Sequence, residues 1–250
     1  MLTAFSEQRR TLRLTDVAEI TALPVATAYR MLRTLEAAGW IDRLPDGSFR
    51  PGVAVLRLGF AALQGLTVVD VSAPARHRLA ALTNETVNIG VLLDTEVLYL
   101  DRIPNSDLVT ANVHIGSLLP AECTSMGKLL LAFLEPRECD ARLATLDLQR
   151  CAGPKAVRSR QSLRRQLQEV RRQGWAMQDE EVAAGLRSIA APIRDHIGAV
   201  TAAVNIAVQS ARWSAAQLVD ELLPPLLDAC ADASARLAAA TPASGQASSQ

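Results

Sequence analysis

The sequence lacks the residue spacings of a metal site. Zinc sites need Cys and His ligands at short, regular intervals, such as C-x-x-C pairs. The four cysteines and three histidines are instead scattered along the chain: Cys123, Cys139, Cys151, Cys230, His77, His114 and His196. We therefore expect neither a metal ion nor a cofactor.

Signals for export and for membrane insertion are also missing. The sequence shows no signal peptide, transmembrane run or lipidation motif. We expect a cytoplasmic protein that has no membrane partner and whose cysteines are reduced thiols.

Motifs of catalysis are equally scarce. Ser125 lacks the G-x-S-x-G context of a nucleophile, the histidines have no assignable partner, and the glycines form no phosphate loop. We do not expect an enzyme, although a small-molecule enzyme stays open as the weakest alternative.

Residues 14–40 have the pattern of two short helices joined by a tight turn. Thr15 is a candidate N-cap of the first helix. Pro24 ends that helix and begins the next from about Val25, because proline lacks the amide that a helix start leaves unused. The second helix is expected to end at Gly39. Its buried stripe is predicted to be Ala28, Met31, Leu32 and Leu35.

The other face of the second helix presents small, hydroxyl and Arg side chains near its N-terminus, which the DNA major groove accepts. The candidate DNA-contacting residues on this helix are Val25, Ala26, Thr27, Tyr29, Arg30 and Arg33. Two amphipathic helices around a proline are also common in proteins that bind no DNA. The helices alone therefore favour DNA binding only modestly.

A hairpin after the second helix strengthens the DNA-binding interpretation. Residues 41–44 and 49–51 predict two strands, and Asp46-Gly47 is a strong turn signal between them. A helix-turn-helix followed by a hairpin is a winged helix. Arg43 and Arg50 flank the turn, where they either contact phosphates or remain solvated surface charges.

The charge of the chain is balanced, with 26 basic and 26 acidic residues. Residues 1–65 hold eight Arg against six acidic residues, so the basic excess near the helices is slight. Each neutralised phosphate adds a salt-dependent increment of affinity. Such a module is therefore expected to need dimerisation, as a homodimer or homotetramer, to bind duplex DNA well.

The rest of the chain predicts an α+β domain. A linker helix spans residues 52–65, and an uncharged tail at 241–250 is expected to be disordered. Between them we predict an antiparallel sheet flanked by helices. The first predicted helix of this domain runs from about Asp70 to about Leu82. The others span Ser125–Leu134, Pro136–Leu146, Gln161–Gln173 and Ala215–Ala239. The predicted strands are Val87–Leu93, Val97–Ile103, Leu108–Ile115, Ala176–Glu181, Ile189–Arg194 and Ala199–Val208.

Three segments together resemble the IclR family of bacterial transcription regulators: residues 14–51, 123–132 and 174–192. Residues 111–127 and 187–192 further resemble the subgroup that controls protocatechuate, 4-hydroxybenzoate and β-ketoadipate catabolism. The resemblance implies a winged helix-turn-helix domain at residues 1–51 and a GAF-like effector domain at residues 66–240. It also implies a dimer or tetramer on a palindromic operator.

The same resemblance places a pocket for a small organic acid at the start of a helix, Ser125–Lys128, and at the strand-loop-strand Gln178–Ser188. The candidate effector-binding residues are Ser125, Met126, Gln178, Ser188 and Asn205. Free amides at a helix N-terminus suit a carboxylate. Alternatively, Thr124 or Ser125 only caps the helix.

The pocket segments depart from the family pattern. Gln178 replaces an acidic residue, Ser188 replaces a cysteine, and Asn205 and Ala207 replace two hydroxyl residues. The amide of Gln178 in place of a carboxylate reduces the negative charge near the effector. A site with less negative charge suits an effector with an additional carboxylate or a phenol, so we expect an aromatic or dicarboxylic acid. Strand alternation puts Ser188 on the face of Ala190, and Asn205 on that of Ala207. We predict that Ser188 and Asn205 pair across neighbouring strands.

Two further expectations concern charge and the N-terminus. At least one of the two residues Glu180 and Glu181 is expected either to be exposed to solvent or to pair with Arg187. Residues 1–6 are shorter than the first helix of the family, and a short helix is marginal without tertiary support. This leaves a second alternative, a ligand-sensing oligomeric protein with impaired DNA binding.

Overall fold

The structure is a computed structural model that describes residues 1–6, 9–64, 67–105 and 113–240. Two compact units divide the chain, Met1–Leu66 and Thr67–Gln250. The expected disorder of residues 241–250 concerns a segment outside the described residues. Within the described ranges, no helix is both long and apolar enough to span a membrane.

Among its described residues, the first unit contains three α-helices, one pair of strands and one short 3₁₀ turn. Its elements are the 3₁₀ turn Leu2–Ala4, α1 (Leu14–Thr21), α2 (Val25–Ala37), β1 (Ile41–Arg43), β2 (Phe49–Pro51) and α3 (Ala54–Gln64). β1 and β2 pair antiparallel, with Asp42 opposite Arg50. The helix-turn-helix and the hairpin that follows it are therefore present.

The start of α1 differs from the prediction. The helix begins at Leu14 with Arg13 at the N-cap, two residues before the predicted cap, and Thr15 lies inside its first turn. The backbone amide of Arg13 donates instead to Asp16 Oδ2 at 2.8 Å. A carboxylate near a helix N-terminus is favoured by the helix dipole, so Asp16 takes over the role that was assigned to Thr15. α2 begins at Val25 directly after Pro24, as predicted.

The core of the first unit is small. Val17, Leu32, Ile41 and Phe49 are buried in it. Met31 is 43% exposed, so its predicted burial is wrong. The core requires only a narrow stripe of α2, and a residue one position before Leu32 is rotated about 100° out of that stripe.

The second unit is a six-stranded sheet with helices on both faces. Its elements are α4 (Thr67–Thr83), β3 (Thr86–Leu93), β4 (Glu96–Ile103), β5 (Leu118–Pro120), α5 (Ser125–Phe133), α6 (Pro136–Thr145), α7 (Arg160–Gln173), β6 (Ala176–Asp179), β7 (Leu186–Arg194), β8 (Val200–Gln209), α8 (Ala215–Gln217) and α9 (Leu223–Ala240). The strand order is β5-β4-β3-β8-β7-β6, and every neighbouring pair is antiparallel.

Two predicted elements of this unit need correction. The third strand is β5, not Leu108–Ile115: residues 113–115 form no strand, and residues 106–112 lie outside the described ranges. The closing helix is interrupted by a π-helical turn at Leu218–Leu222. Pro224 and Pro225 follow this turn, and neither has an amide to donate to the preceding turn.

Strand alternation divides the sheet residues between two helical layers. α4 and α9 pack together, with α9 against β7 and α4 against β3 and β4, whereas α5 contacts β3, β6, β7 and β8. The residues that share a face with Asn88 on the central strands are small or polar, and they are Gly90, Ser188, Ala190, Ala203 and Asn205. The opposite sides of the same strands carry Val and Ile. The sheet therefore has one polar patch, and α5 contacts the strands that form it.

Candidate functional site

The exposed face of α2 contains most of the predicted DNA-contacting side chains. Thr27 is half-buried, and the others are exposed: Val25, Ala26, Tyr29, Arg30 and Arg33. The wing residues Arg43 and Arg50 are exposed as well. The buried stripe of α2 thus leaves these side chains on the solvent side of the helix.

Two of these arginines already have acidic neighbours. Arg33 pairs with Glu36 at 2.7 Å, and Arg50 pairs with Asp42 across the hairpin at 3.2 Å. Both guanidinium groups are about half exposed, and exposed pairs of this kind contribute only ~0–1 kcal/mol. Phosphate groups can therefore replace these carboxylates at little cost.

A buried hydrogen-bond network lies between α5 and the sheet. The hydroxyl oxygens of Ser125 and Ser188 are 2.7 Å apart, and Asn205 Nδ2 donates to Ser125 Oγ at 3.4 Å. All three residues are buried. The structure therefore brings together three of the five residues that the sequence predicted for effector binding.

The network continues through two residues that the sequence analysis missed. Asn88 Nδ2 donates to Asn205 Oδ1 at 2.8 Å, and Arg102 Nη1 donates to Asn88 Oδ1 at 3.4 Å. Burial lowers the pKa of Arg102 below its usual value. The one signal in the sequence was Asn88 itself, a polar residue inside an apolar strand.

The strand register corrects one detail of the predicted pairing. Ser188 lies opposite Ala207, and Asn205 lies opposite Ala190. The two polar residues share a face of the sheet, as predicted, but they are not direct partners. Ser125 from α5 connects them.

Thr124 is the N-cap of α5. Its Oγ1 accepts the backbone N–H of Gly127 at 3.0 Å. Because Thr124 fills the capping role, the hydroxyl of Ser125 remains available to the buried network.

Met126 forms an apolar boundary beside the network. It is fully buried in one cluster with Val97 and Tyr99. A Cβ atom on Gly90 would lie 3.3 Å from Met126 Cε and 2.8 Å from Val97 Cγ1. Gly90 therefore leaves the space on β3 that Met126 fills.

Gln178 faces the same region from β6 but belongs to a different set of hydrogen bonds. It lies opposite Ser188. Its Oε1 accepts the amide of Glu181 at 3.0 Å, and its Nε2 donates to the carbonyl oxygen of Leu186 at 3.3 Å. The Gln178 side chain thus holds the β6–β7 loop in place.

The acidic residues of the β6–β7 loop have other partners than predicted. Arg187 pairs with Asp179 at 2.6 Å, because both lie at the paired ends of β6 and β7. Glu180 pairs with Lys155 at 3.0 Å. Glu181 is buried and forms an ion pair with Lys128 of α5. Neither glutamate pairs with Arg187, and Glu180 is half-buried, so the expectation that at least one of them is exposed or paired with Arg187 is wrong.

Glu181 is the polar residue whose environment is most unusual. Burial raises its pKa above 4.5, although Lys128 opposes this effect. One carboxylate oxygen, Oε2, has no hydrogen-bond partner among the described residues.

Comparisons with known proteins give matches along almost the whole chain. Residues 1–45 match the family model "IclR helix-turn-helix domain", and residues 60–235 match "Bacterial transcriptional regulator IclR C-terminal". The chain is 34% identical to the Pca regulon regulatory protein of Pseudomonas putida, over 82% of this chain and 70% of that protein. It is 30% identical to the transcriptional regulator XynR of Escherichia coli, over 82% of each.

The solved structures give the same result. An IclR homolog from Microbacterium hydrocarbonoxydans, complexed with 4-hydroxybenzoate, is 28% identical to this chain with a TM-score of 0.77, and the match covers 96% of each.

Proposed function

Because this chain belongs to the IclR family of bacterial transcriptional regulators, we propose that it controls aromatic-acid catabolism genes in response to a small organic acid. Family members are transcriptional regulators and not enzymes, which removes the enzyme alternative. The proposed assignment of parts is a DNA-binding domain at residues 1–51, a linker helix at 52–65 and an effector domain at 66–240. A regulator of genomic DNA acts in the cytoplasm.

The exposed face of α2 is proposed to enter the major groove of the operator. Arg30 and Arg33 are positioned for guanine edges or phosphates, and the small side chains Val25, Ala26 and Thr27 allow close approach to the bases. Arg43 and Arg50 of the hairpin are proposed to contact phosphates, which orient the module without reading sequence.

Oligomerisation is proposed to supply the remaining affinity. Leu56 and Leu58 of α3 are 59% and 51% exposed. Apolar side chains on a solvent-facing helix favour packing against a second copy. A two-fold dimer then presents two copies of α2 to a palindromic operator. The proposed assembly is a homodimer or a homotetramer.

The buried network of Ser125, Ser188 and Asn205 is the observation that best supports an effector site. Two hydroxyls and one amide meet at the N-terminus of a nine-residue helix. A carboxylate offers these donors charge-assisted hydrogen bonds, which are about twice as strong as the neutral bonds they now exchange. The helix N-terminus adds a favourable field for an anion.

Met126 and Gln178 complete the proposed site as its apolar and polar neighbours. An aromatic acid suits a carboxylate-binding network bounded by Met126. The relatives support this class, since one bears the name of the Pca regulon and another is complexed with 4-hydroxybenzoate. A dicarboxylic acid remains the second candidate.

The alternative of a ligand sensor with impaired DNA binding rests on the short segment before α1. Ala4 is fully buried, and Met1, Leu2 and Phe5 pack against the same core. These contacts give the first unit tertiary support at its N-terminal end, which favours an active DNA-binding module.

An operator gel shift tests the proposed function. We expect the full chain to bind the promoter beside its own gene more tightly than random DNA, with strong salt dependence. Addition of protocatechuate, 4-hydroxybenzoate or β-ketoadipate is expected to change that affinity. Equal affinity for random DNA would exclude a specific regulator. A response to a glyoxylate- or pyruvate-like acid only would reassign the effector.

A further inference from the structure

The ion pair between Lys128 and Glu181 is buried in the second unit. Lys128 is 2% exposed and Glu181 is 6% exposed. Lys128 bonds to Glu181 Oε1, and Oε2 has no partner among the described residues. A buried acceptor without a partner costs about 1–3 kcal/mol, and more when it is charged. Such an atom requires an explanation.

Both members of the ion pair are neighbours of the proposed effector site. Lys128 lies three residues after Ser125 on α5, so the two side chains project from adjacent positions of one helix face. The amide of Glu181 donates to Gln178 Oε1, and Gln178 lies opposite Ser188. Glu181 thus lies beside the network: its carboxylate is held by a residue one turn after Ser125, and its backbone amide is held by the residue opposite Ser188.

The backbone of Glu181 is fixed from another direction. Gly153 N donates to the carbonyl oxygen of Glu181 at 3.1 Å. A Cβ atom on Gly153 would lie 2.4 Å from that same oxygen, so only glycine allows this contact. The peptide is held on this side, so turning Oε2 to solvent would require rotation of the side chain, which would break the bond between Lys128 and Oε1.

The charges around Oε2 define what can bind there. Lys128 neutralises the carboxylate, so a second cation is not needed. An anionic group would be repelled by Glu181. A neutral hydroxyl donates one hydrogen bond and adds no charge, and it therefore suits the position best.

We propose that Glu181 is a specificity-determining residue of the effector site, and that its Oε2 accepts a hydrogen bond from a hydroxyl group of the effector. The effector is then a hydroxylated acid, whose carboxylate binds to the Ser125 network and whose hydroxyl binds to Glu181. This inference rests on the proposed effector site and narrows its ligand class.

Calorimetric titration of the full chain with 4-hydroxybenzoate and benzoate tests the inference, because the two acids differ by one hydroxyl. The wild type is expected to prefer 4-hydroxybenzoate by roughly ten- to hundredfold, the value of a hydrogen bond to a charged group. Glu181→Gln is expected to lower that ratio at least about tenfold while the affinity for benzoate stays within about threefold. The matched control is Glu180→Gln, the adjacent carboxylate paired with Lys155, which is expected to leave the ratio unchanged.

A second variant separates recognition from folding. Glu181→Gln alone leaves the ammonium of Lys128 buried without its partner, which destabilises the fold. Lys128→Met combined with Glu181→Gln removes both charges, and it is expected to fold while losing the preference for the hydroxylated acid. Thermal unfolding of each variant checks the fold. If neither variant folds, the pair is purely structural and the proposal is overturned.

The remaining outcomes distinguish this inference from the proposed function. A wild type that binds both acids equally, or a Glu181→Gln variant that keeps the full ratio, overturns the role of Glu181 but leaves the effector site in place. A wild type that binds neither these acids nor protocatechuate or β-ketoadipate overturns the proposed effector class, and the inference with it.

Discussion

The hydroxyl oxygens of Ser125 and Ser188, 2.7 Å apart, join the first residue of α5 to the third residue of β7. This contact connects a helix to the sheet through two side chains that a carboxylate can bind instead. A ligand that takes over both hydroxyls changes how the start of α5 is held. Binding of an effector at the proposed site would therefore have a direct structural consequence, since a ligand shifts a conformational equilibrium through contacts that differ between the two states.

The first prediction concerns the effector affinity of the Ser125 network. Asn205→Ala removes the amide that donates to Ser125 Oγ and the oxygen that accepts from Asn88. We expect it to weaken effector binding by about 1–3 kcal/mol, measured by calorimetry. Ser188→Ala is expected to act in the same direction.

Ser162→Ala is the control for that experiment, because it deletes an exposed hydroxyl on α7. If Asn205→Ala lowers the melting temperature but leaves the effector affinity unchanged, Asn205 only satisfies the hydrogen bonds of buried groups and does not bind the effector.

The second prediction concerns DNA. Arg33→Ala is expected to weaken operator binding. If Arg33 contacts a phosphate, its loss lowers the slope of log affinity against log salt concentration by about one. Arg165→Ala, an exposed arginine of α7, is the control for the general loss of one positive charge. Salt-dependent gel shifts with operator and random DNA measure both. Equal losses in the two variants would show that Arg33 contributes only through net charge.

The sequence predicted the parts of this molecule that local patterns determine. Pro24 marked the start of α2, and Asp46-Gly47 marked the turn of the hairpin, since both act through the conformation of their own few residues. Alternation along β7 and β8 placed Ser188 and Asn205 on one face, because side-chain direction in a strand has a period of two.

The contacts that the sequence did not predict join distant segments. Asn88 reaches Asn205 because β3 pairs with β8, and the sequence of neither strand specifies which strand it pairs with. Lys128 and Glu181 are 53 residues apart and meet only once α5 covers the sheet. Asp179, rather than Glu180 or Glu181, pairs with Arg187 because the register of β6 and β7 sets them opposite each other.

The third prediction concerns Gly153. Its hypothetical Cβ would lie 2.2 Å from the carbonyl oxygen of Glu180, inside the closest approach of real atoms. Gly153→Ala must therefore move the β6–β7 loop or the segment of Gly153, and overpacking of this kind costs about 1–3 kcal/mol. Denaturant unfolding measures the loss.

Gly59→Ala in α3 is the control, because it replaces a glycine that, like Gly153, has no positive φ, at a position where the added Cβ meets no atom within 4 Å. If Gly153→Ala leaves both stability and effector affinity at the wild-type values, the close packing of Gly153 on the β6–β7 loop has no energetic consequence.

The last prediction concerns pH and the pair of Asp179 with Arg187. Burial by itself raises the pKa of Asp179, but hydrogen bonds from Lys155 and Arg187 outweigh it and hold that pKa below 3.8. A carboxylate with a lowered pKa in the folded state stabilises the fold at pH values above its unfolded pKa. That stabilisation is lost as the pH falls through the folded pKa.

Asp179→Asn is therefore expected to lower the free energy of unfolding by about 1–3 kcal/mol at pH 7, because Arg187 is largely buried and keeps only its bonds to the carbonyl oxygens of Ser210 and Trp213. Denaturant unfolding between pH 7 and pH 3 should show a constant difference from the wild type down to about pH 5, and a shrinking one below about pH 4. Asp140→Asn removes an exposed partner of Arg164 and should have little effect at any pH. A difference that stays constant to pH 3 would show that Asp179 stabilises the loop through packing and not through its charge.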